Sequence, residues 1–262
     1  MLGSDQTRAA SALLFNHWQS GRRLAALPSG LRPTTRAEGY AIQAHLEERG
    51  AAPLFGWKIA ATSRAGQAHI GVDGPMAGRL LAERVLRDGA AVPLDGNHMR
   101  VAEVEFAFRM GQDLPSRRTV YETHEVLAAV DTLHPAIEIP DSRFEDFAVV
   151  GAPQLIADNA CAHLFVLGPE ATVDWRKMDL AEHTAVGRVS GRTERQGKGA
   201  NVLDDPRLAL TWLANELSQL GITLKAGQVV TTGTCMIPLA VERGDEVFAS
   251  LGSLGEVSVR FL

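Results

Sequence analysis

Apolar residues recur at helical spacing near the start of the chain. Ala9, Ala10, Leu13, Leu14 and Trp18 fall on one side of a helix drawn at 3.6 residues per turn. This pattern predicts an amphipathic helix whose apolar side packs against the rest of the protein.

A second helical segment follows a loop rich in proline and glycine. Thr35 and Glu38 have the spacing of a capping box, and apolar positions continue until Gly50 stops the pattern. We therefore predict a helical N-terminal segment over residues 1–52.

The pattern changes after Gly50, where short apolar or alternating runs are separated by Gly, Pro and Asp. Such runs read as strands, and the last two are close enough to form a hairpin. The predicted strands cover residues 55–61, 101–110, 136–139, 163–167, 229–232, 246–250 and 256–261.

Two helices interrupt these strands, one over 123–132 and one from Pro206 to Gly221 with Asp204 or Asp205 as its N-cap. Strands outnumber helices without strict alternation, which favours an α+β fold with a mixed, mainly antiparallel, curved sheet. We predict one catalytic unit over 53–262, in which the polar, glycine-rich stretch 190–201 is a loop.

Composition narrows the class of protein. The 262 residues carry a net charge of −5, so a basic surface for nucleic acid is not expected. No run approaches 18 apolar residues and the N-terminus lacks a signal-peptide pattern, so no membrane span is expected. Cys161 and Cys235 lie far apart without metal-type spacing, which favours a reducing cytoplasm.

Candidate chemistry begins with Glu103 and Glu105. On a strand they share one face, about 7 Å apart at their Cα atoms, while Val104, Phe106 and Phe108 share the other. Both carboxylates can therefore converge on one cation. The alternative is a half-exposed strand whose glutamates meet only water.

A third acid, Glu138, stands between Ile137 and Ile139 in an apolar strand, where a carboxylate is costly unless it is paired or bound to a cation. Three oxygen ligands without a Cys or His cluster suit Mg²⁺ or Mn²⁺ rather than Zn²⁺. The alternative is an ion pair between Glu138 and Arg143 or another basic residue.

Two further features are weaker. Lys58 is the only charge in an apolar strand, and desolvation would lower its pKa towards neutrality, unless the side chain reaches solvent from a sheet edge. Residues 231–234 (Thr-Thr-Gly-Thr) follow a strand, where hydroxyls and free N–H groups can hold a carboxylate; a plain turn is the alternative.

Taken in order, these motifs resemble one family. The chain is similar, over nearly its whole length, to the 2-oxopent-4-enoate hydratase and 4-oxalocrotonate decarboxylase group of the fumarylacetoacetate hydrolase superfamily. The segments that carry the resemblance are 56–59 (Gly-Trp-Lys-Ile), 70–73 (Ile-Gly-Val-Asp), 103–105 (Glu-Val-Glu), 138–143 (Glu-Ile-Pro-Asp-Ser-Arg), 157–160 (Ala-Asp-Asn-Ala), 210–215 (Leu-Thr-Trp-Leu-Ala-Asn) and 226–234.

The resemblance implies a β-roll with an N-terminal helical segment, commonly in a homo-oligomer, and a divalent metal, Mg²⁺ or Mn²⁺. It implies residue roles by position: metal ligands at Glu103, Glu105 and Glu138, catalytic groups at Lys58 and Asp73, and substrate-binding groups at Thr234, Gly233 and Asn159.

It also implies a reaction, the metal-dependent hydration of a 2-hydroxypenta-2,4-dienoate to a 4-hydroxy-2-oxo acid in meta-cleavage catabolism of aromatic compounds. Decarboxylation of 2-oxohex-3-enedioate (4-oxalocrotonate) or acylpyruvate C–C hydrolysis are alternatives at the same site, and so is a non-catalytic subunit associated with another pathway enzyme. The apolar segments 76–77 and 235–239 favour an uncharged substrate tail, and therefore the hydratase.

Overall fold

The computed structural model describes residues 1–262. Its six α-helices are α1 (Ser4–Ser20), α2 (Arg36–Ala44), α3 (Arg64–His69), α4 (Thr123–Ala128), α5 (Ala152–Ala157) and α6 (Pro206–Gln219). Its strands are β1 (Gly56–Ala60), β2 (Met76–Leu80), β3 (Val85–Arg87), β4 (Ala90–Val92), β5 (Val101–Met110), β6 (Val130–Ile139), β7 (Leu164–Leu167), β8 (Thr184–Val189), β9 (Thr193–Lys198), β10 (Val229–Thr234), β11 (Leu239–Ala240), β12 (Glu246–Ser250) and β13 (Glu256–Phe261).

The strands form two sheets. The larger runs in the order β2-β1-β10-β5-β6-β7-β3, with β11 paired to β5, and the smaller runs β4-β13-β12-β8-β9. Three pairings are parallel, namely β1 with β10, β3 with β7 and β4 with β13, and the others are antiparallel. The prediction of a mixed, mainly antiparallel α+β fold is therefore confirmed, and so is the β12–β13 hairpin.

The longest strands, β5 and β6, lie in the middle of the larger sheet and are buried along most of their length. The apolar faces predicted from alternation are present: Val104, Phe106 and Phe108 have no exposed surface. A strand buried on both faces can keep a charged residue only if another group compensates it. The two glutamates on the other face of β5 meet this condition.

The N-terminal helices pack on α5 and on the segment after β6 through their own small cluster, which includes Leu14, Ile42, Phe144 and Ala157. Helix α2 lies so close to α5 that a Cβ at Gly39 would come within 2.5 Å of the Pro153 carbonyl oxygen. The division into residues 1–52 and 53–262 stays a prediction.

Several boundaries differ from the sequence prediction. Helix α2 ends at Ala44 instead of Gly50, because Leu46 turns back to pack with Trp18 and Leu81. The helix predicted over 123–132 ends at Ala128, because the chain enters β6. Asp205 is the N-cap of α6, as predicted.

The stretch 190–201 is not a continuous loop, because Thr193–Lys198 form β9 at the edge of the smaller sheet. An exposed edge strand carries polar residues on both faces, so its pattern resembles that of a loop. None of the helices is both long and apolar enough to cross a membrane.

Candidate active site

The three glutamates singled out in the sequence meet on the larger sheet. Glu103 on β5 is the direct antiparallel partner of Glu138 on β6, and Glu105 follows Glu103 on the same face. One carboxylate oxygen from each lies within 4.8 Å of one from each of the others. Glu105 and Glu138 have no exposed surface, and Glu103 is half-buried.

Strand β10 holds Glu105 from the other side. The register of β10 against β5 shifts between Thr231 and Thr234, which marks a bulge. The bulge turns the Thr231 hydroxyl and the Gly233 N–H, the latter at 2.8 Å, to donate hydrogen bonds to Glu105 Oε2. Glu105 Oε1 is left without a hydrogen-bond partner.

Lys58 on β1 reaches the same cluster. Its ammonium nitrogen lies 2.9 Å from Glu138 Oε1 and donates a hydrogen bond of 3.0 Å to the carbonyl oxygen of Ala160. The side chain is 3% exposed, so it is a buried ammonium and does not extend into solvent. Glu138 is therefore paired with a base, as the alternative reading of the sequence allowed, but the base is Lys58, because Arg143 pairs with Asp158.

The pKa values follow from burial and charge. Burial, reinforced by the charge of Glu138, raises the pKa of Glu103 to about 7, and burial raises the pKa of Glu105 and Glu138 as well. Burial by itself would lower the pKa of Lys58, but the charges of the three glutamates hold it above its ordinary value. Of the two readings that the sequence left open for Lys58, neither the lowered pKa nor the solvent-reaching side chain is found, because carboxylates surround a buried amine.

This donor set fits a divalent cation. Glu105 Oε1 and Glu138 Oε2 are buried without a hydrogen-bond partner, which is costly unless a cation binds them. One lysine compensates only part of three carboxylate charges. Carboxylate oxygens without nitrogen or sulfur ligands suit a hard cation.

A cavity of about 1120 Å³ opens beside the cluster and includes Lys58, Glu103, Gly233 and Thr234 in its lining. Its other walls combine apolar side chains, among them Ile70, Met76 and Met236, with polar ones, among them Arg64, Gln67 and His69. The site therefore combines a charged end with a wide end of mixed polarity.

Three predicted site residues are placed differently. Thr234 lines the cavity, but its hydroxyl donates to the Met236 carbonyl oxygen at 2.8 Å. The Asn159 side chain is buried and bonded to the backbone of Arg79, so it does not face the cavity. Asp73 is not in the pocket, because its side chain is 86% exposed and faces Arg36 on α2 at 3.3 Å.

Sequence reasoning missed the groups that hold the site residues in place. Of these groups only the Thr231 side chain offered a signal, because a hydroxyl in an apolar strand needs a partner, whereas Gly233 contacts Glu105 through its backbone N–H at the bulge. The Ala160 carbonyl that binds Lys58 is a backbone group, and no side-chain pattern marks it.

Fold and site together define a β-roll enzyme that gathers three carboxylates for a divalent cation beside a buried lysine. The model of the family described as fumarylacetoacetate (FAA) hydrolase C-terminal matches residues 45–262, and the chain belongs to this family. The resemblance seen in the sequence is thereby confirmed.

Relatives of nearly full length give the class of reaction. The chain is 35% identical to 2-keto-4-pentenoate hydratase 1 of Dechloromonas aromatica, an alignment that covers 97% of each chain. It is 33% identical to 2-hydroxyhexa-2,4-dienoate hydratase of Comamonas testosteroni, with 95% of this chain and 94% of the relative covered. Both are hydro-lyases.

A solved structure of 4-oxalocrotonate decarboxylase from Pseudomonas putida G7, complexed with magnesium and adipate, superposes with a TM-score of 0.90 at 26% identity. The superposition covers 100% of this chain and 99% of that one. Hydro-lyases and a carboxy-lyase are both lyases, so the chain is a lyase by class, and its neighbour's magnesium agrees with a divalent metal at the carboxylate cluster.

Proposed function

We propose that this chain is a metal-dependent hydratase that adds water to a 2-hydroxy-2,4-dienoate of the 2-hydroxypenta-2,4-dienoate type. The product is a 4-hydroxy-2-oxo acid, as in the meta-cleavage catabolism of aromatic compounds. The observation that carries the proposal is the convergence of Glu103, Glu105 and Glu138 beside Lys58, at the charged end of a large cavity. The hydratases similar over nearly the full length support it.

The three glutamates hold the cation, for which we propose Mg²⁺ or Mn²⁺, because both bind through carboxylate oxygens. When bound, it supplies Lewis acidity at the carboxylate and 2-oxygen of the substrate. Gly233 and Thr234 line the same end of the cavity and are the proposed neighbours of the substrate carboxylate.

Lys58 acts as an ammonium ion in this proposal. Its nitrogen faces Glu138 Oε1 and the Ala160 carbonyl oxygen, two acceptors that favour the protonated form. It can therefore stabilise negative charge that develops on the substrate and donate a proton to a substrate carbon. Its hydrogen bond to the Ala160 carbonyl fixes the direction from which that proton is offered.

A decarboxylase is the second candidate, because one relative and one structural neighbour are 4-oxalocrotonate decarboxylases. Its substrate carries a second carboxylate at the distal end. The cavity offers Lys58 as its buried cation, and Arg64 at the rim is exposed. A distal carboxylate against Ile70, Met76 and Met99 would be desolvated, which favours an uncharged tail on that side of the cavity. On the side lined by Arg64, Gln67 and His69 it would have polar partners.

The experiment is turnover of 2-hydroxypenta-2,4-dienoate against 2-oxohex-3-enedioate, followed by ultraviolet absorbance with and without Mg²⁺ or Mn²⁺. We expect the dienoate chromophore to disappear with metal, without release of CO₂, and the product mass to increase by one water. Release of CO₂ from the dicarboxylate at the higher kcat/KM would overturn the hydratase in favour of the decarboxylase.

Glu105→Gln should lose metal binding and turnover together, whereas Glu256→Gln, at an exposed position on β13, should retain both. Full activity of Glu105→Gln in chelator would contradict the metal assignment. Binding of metal and 2-oxo acids without turnover of any substrate would instead favour a non-catalytic subunit.

The cytoplasmic location, the homo-oligomer and an association with another pathway enzyme also stay proposals. Exposed apolar side chains at Val149 and Ile237, each 73% exposed, support burial against a second copy. Light scattering after gel filtration measures the number of subunits, and a monomer at micromolar concentration would contradict the oligomer.

A further inference from the structure

A strained turn lies directly behind Lys58. Asn159, Ala160 and Cys161 are three consecutive non-glycine residues with φ of 56°, 50° and 61°, in the left-handed region. Residues with a side chain are strained in this region, so three in a row persist only where their surroundings hold them. This turn, residues 159–161, is named the left-handed turn below.

The left-handed turn supplies one of the two polar contacts of the Lys58 ammonium. The Ala160 carbonyl oxygen accepts a hydrogen bond from Lys58 Nζ at 3.0 Å, and Glu138 Oε1 lies 2.9 Å from the same nitrogen on the other side. Removing either contact would allow the flexible lysine side chain to take another rotamer. The conformation of the turn therefore decides where the ammonium points.

Asn159 holds the left-handed turn against β2 through two hydrogen bonds. Its Oδ1 accepts a hydrogen bond from the Arg79 N–H at 2.6 Å, and its Nδ2 donates one to the Arg79 carbonyl oxygen at 2.8 Å. Next to Arg79, Gly78 is the register partner of Lys58. A Cβ at Gly78 would lie 2.5 Å from the Asn159 carbonyl oxygen and 3.0 Å from Lys58 Cδ, so only glycine allows this approach.

A buried ion pair joins the left-handed turn to the end of β6. Arg143 donates from Nε to Asp158 Oδ1, and from Nη1 to the carbonyl oxygens of Asp141 and Ala162 at 2.8 and 2.9 Å. The Asp141 N–H donates to the Cys161 carbonyl oxygen at 2.9 Å. Because Asp141 follows Glu138 by three residues, the same network holds both partners of the Lys58 ammonium.

We propose that the left-handed turn is a positioning element for Lys58, and that Asn159 and the Arg143–Asp158 pair are positioning residues. The inference rests on the proposed role of Lys58 in turnover. The backbone strain is retained because it presents a carbonyl oxygen at the one place where the ammonium can face both this oxygen and Glu138. Asn159 acts through Lys58 and does not contact the substrate.

Asn159→Ala and Asn159→Gly test the proposal. Both variants remove the two side-chain hydrogen bonds to the backbone of Arg79, and glycine adopts a positive φ without a steric cost. The matched control is Asn215→Ala on α6. The Asn215 side chain makes the same pair of hydrogen bonds with the backbone of Tyr121, accepting from its N–H at 2.7 Å and donating to its carbonyl oxygen at 3.0 Å. The control therefore measures how much stability is lost when such a pair of hydrogen bonds is removed away from the site.

We expect both Asn159 variants to lower kcat roughly 10–100-fold, as small misplacements of a reacting group do, with KM and metal affinity unchanged. Asn215→Ala should keep the wild-type kcat. In a Lys58→Met background, Asn159→Gly should have no further effect on the residual rate. An equal loss in that background would overturn the proposal, because Asn159 would then act without Lys58.

A second readout needs no turnover. The sequence has four lysines, so lysine labelled with ¹⁵N at Nζ gives few signals, and Lys58→Met assigns the buried one. We expect this ammonium signal, in the Mg²⁺-loaded protein, to shift or broaden in Asn159→Gly and to stay unchanged in Asn215→Ala. An unchanged signal in both would overturn the positioning role, whereas a shift in a protein without dienoate turnover would refute only the proposed function.

Discussion

Glu103 and Glu138 lie directly opposite each other in the antiparallel pair formed by β5 and β6. Like charges at directly opposed positions destabilise a sheet, and burial strengthens the repulsion. Lys58 relieves Glu138 from one side only. The opposed carboxylates therefore destabilise the sheet of the metal-free protein. A bound cation would compensate their charges and remove this repulsion.

Replacing Glu103 with Gln should stabilise the metal-free protein at alkaline pH. The pKa of Glu103 is raised from 4.5 to about 7, so between these values the folded chain binds more protons than the unfolded chain. Stability of the wild type therefore falls as pH rises through this window. We expect Glu103→Gln to gain roughly 1–2 kcal/mol in free energy of unfolding at pH 8, after allowance for partial exposure, and little at pH 4.5.

Urea unfolding in chelator at pH 4.5 and 8 measures this difference. With saturating Mg²⁺ the ranking should reverse, because the wild type binds the cation with one more carboxylate and gains more from it. A Glu103→Gln variant that is less stable than wild type in chelator at pH 8 would show that the opposed carboxylates do not repel.

The Thr231 hydroxyl should contribute to metal affinity although it is not a ligand. It donates to Glu105 Oε2, which fixes the carboxylate so that Oε1 stays free. Thr231→Val keeps the side-chain shape and removes this donor. Because groups that orient metal ligands are worth roughly 10–100-fold in affinity, we expect a loss of that size for Mn²⁺ in titration calorimetry.

Thr232→Val is the matched control on the same strand. Its hydroxyl donates to the Phe106 carbonyl oxygen at 3.1 Å, away from the carboxylates. Both threonines are fully buried, so the two variants should cost similar stability, and only Thr231→Val should lose metal. Equal metal affinity in the two variants would contradict the role of Thr231.

The spacing of Glu103 and Glu105, with a third acid in an apolar strand, made the cluster a candidate, and the family resemblance assigned all three to a metal. Strand alternation places side chains on a known face, and a charge in an apolar run needs a partner. Asp73 and Asn159 could not be placed in this way. Their positions depend on turns, and a turn can direct a side chain to solvent, as for Asp73, or to a neighbouring backbone, as for Asn159.

The fold shows the same division. Strands β5, β12 and β13 were predicted to the residue, because their alternation and flanking glycines are clear. Strand β9 was missed, because an exposed edge strand has no apolar face to reveal it. The bulge in β10 arises from its register against β5, and such long-range pairing leaves no local pattern in the sequence.

Gly233 should be required for both the fold and metal binding. Its φ is +101°, and a Cβ there would lie 2.2 Å from Thr62 Oγ1, while its N–H holds Glu105. Gly227, with φ of +82° and no atom within 4 Å, is the control for backbone strain alone. We expect Gly227→Ala to cost about 1–2 kcal/mol in urea unfolding, and Gly233→Ala to cost more and to lose metal affinity as well.

Equal unfolding free energies and equal Mn²⁺ affinities for the two alanine variants would contradict this. The close approach of Thr62 would then be relieved by a side-chain rotation, and the Gly233 N–H would not need its present position to hold Glu105.

His163 should make the protein sensitive to mild acid. Burial, together with the charges of Arg143, Arg84 and Arg23, lowers its pKa from 6.5 to about 3. Its Nδ1 accepts a hydrogen bond from Trp18 Nε1 at 2.7 Å, which a proton on Nδ1 would break. Below pH 6.5 the imidazole binds a proton in the unfolded chain but not in the folded chain. The free energy of unfolding is therefore greatest above pH 6.5 and falls as the pH decreases towards 3.

His163→Asn keeps an acceptor near the position of Nδ1 and removes the titration. Between pH 7 and 5, we expect the wild type to lose roughly 1–2 kcal/mol more in free energy of unfolding than this variant. Urea unfolding at the two pH values measures the difference, with His124→Asn at an exposed position on α4 as the control. If His163→Asn loses as much stability in acid as the wild type, other groups cause the effect. The variant has no imidazole at this position, so protonation of His163 cannot destabilise it.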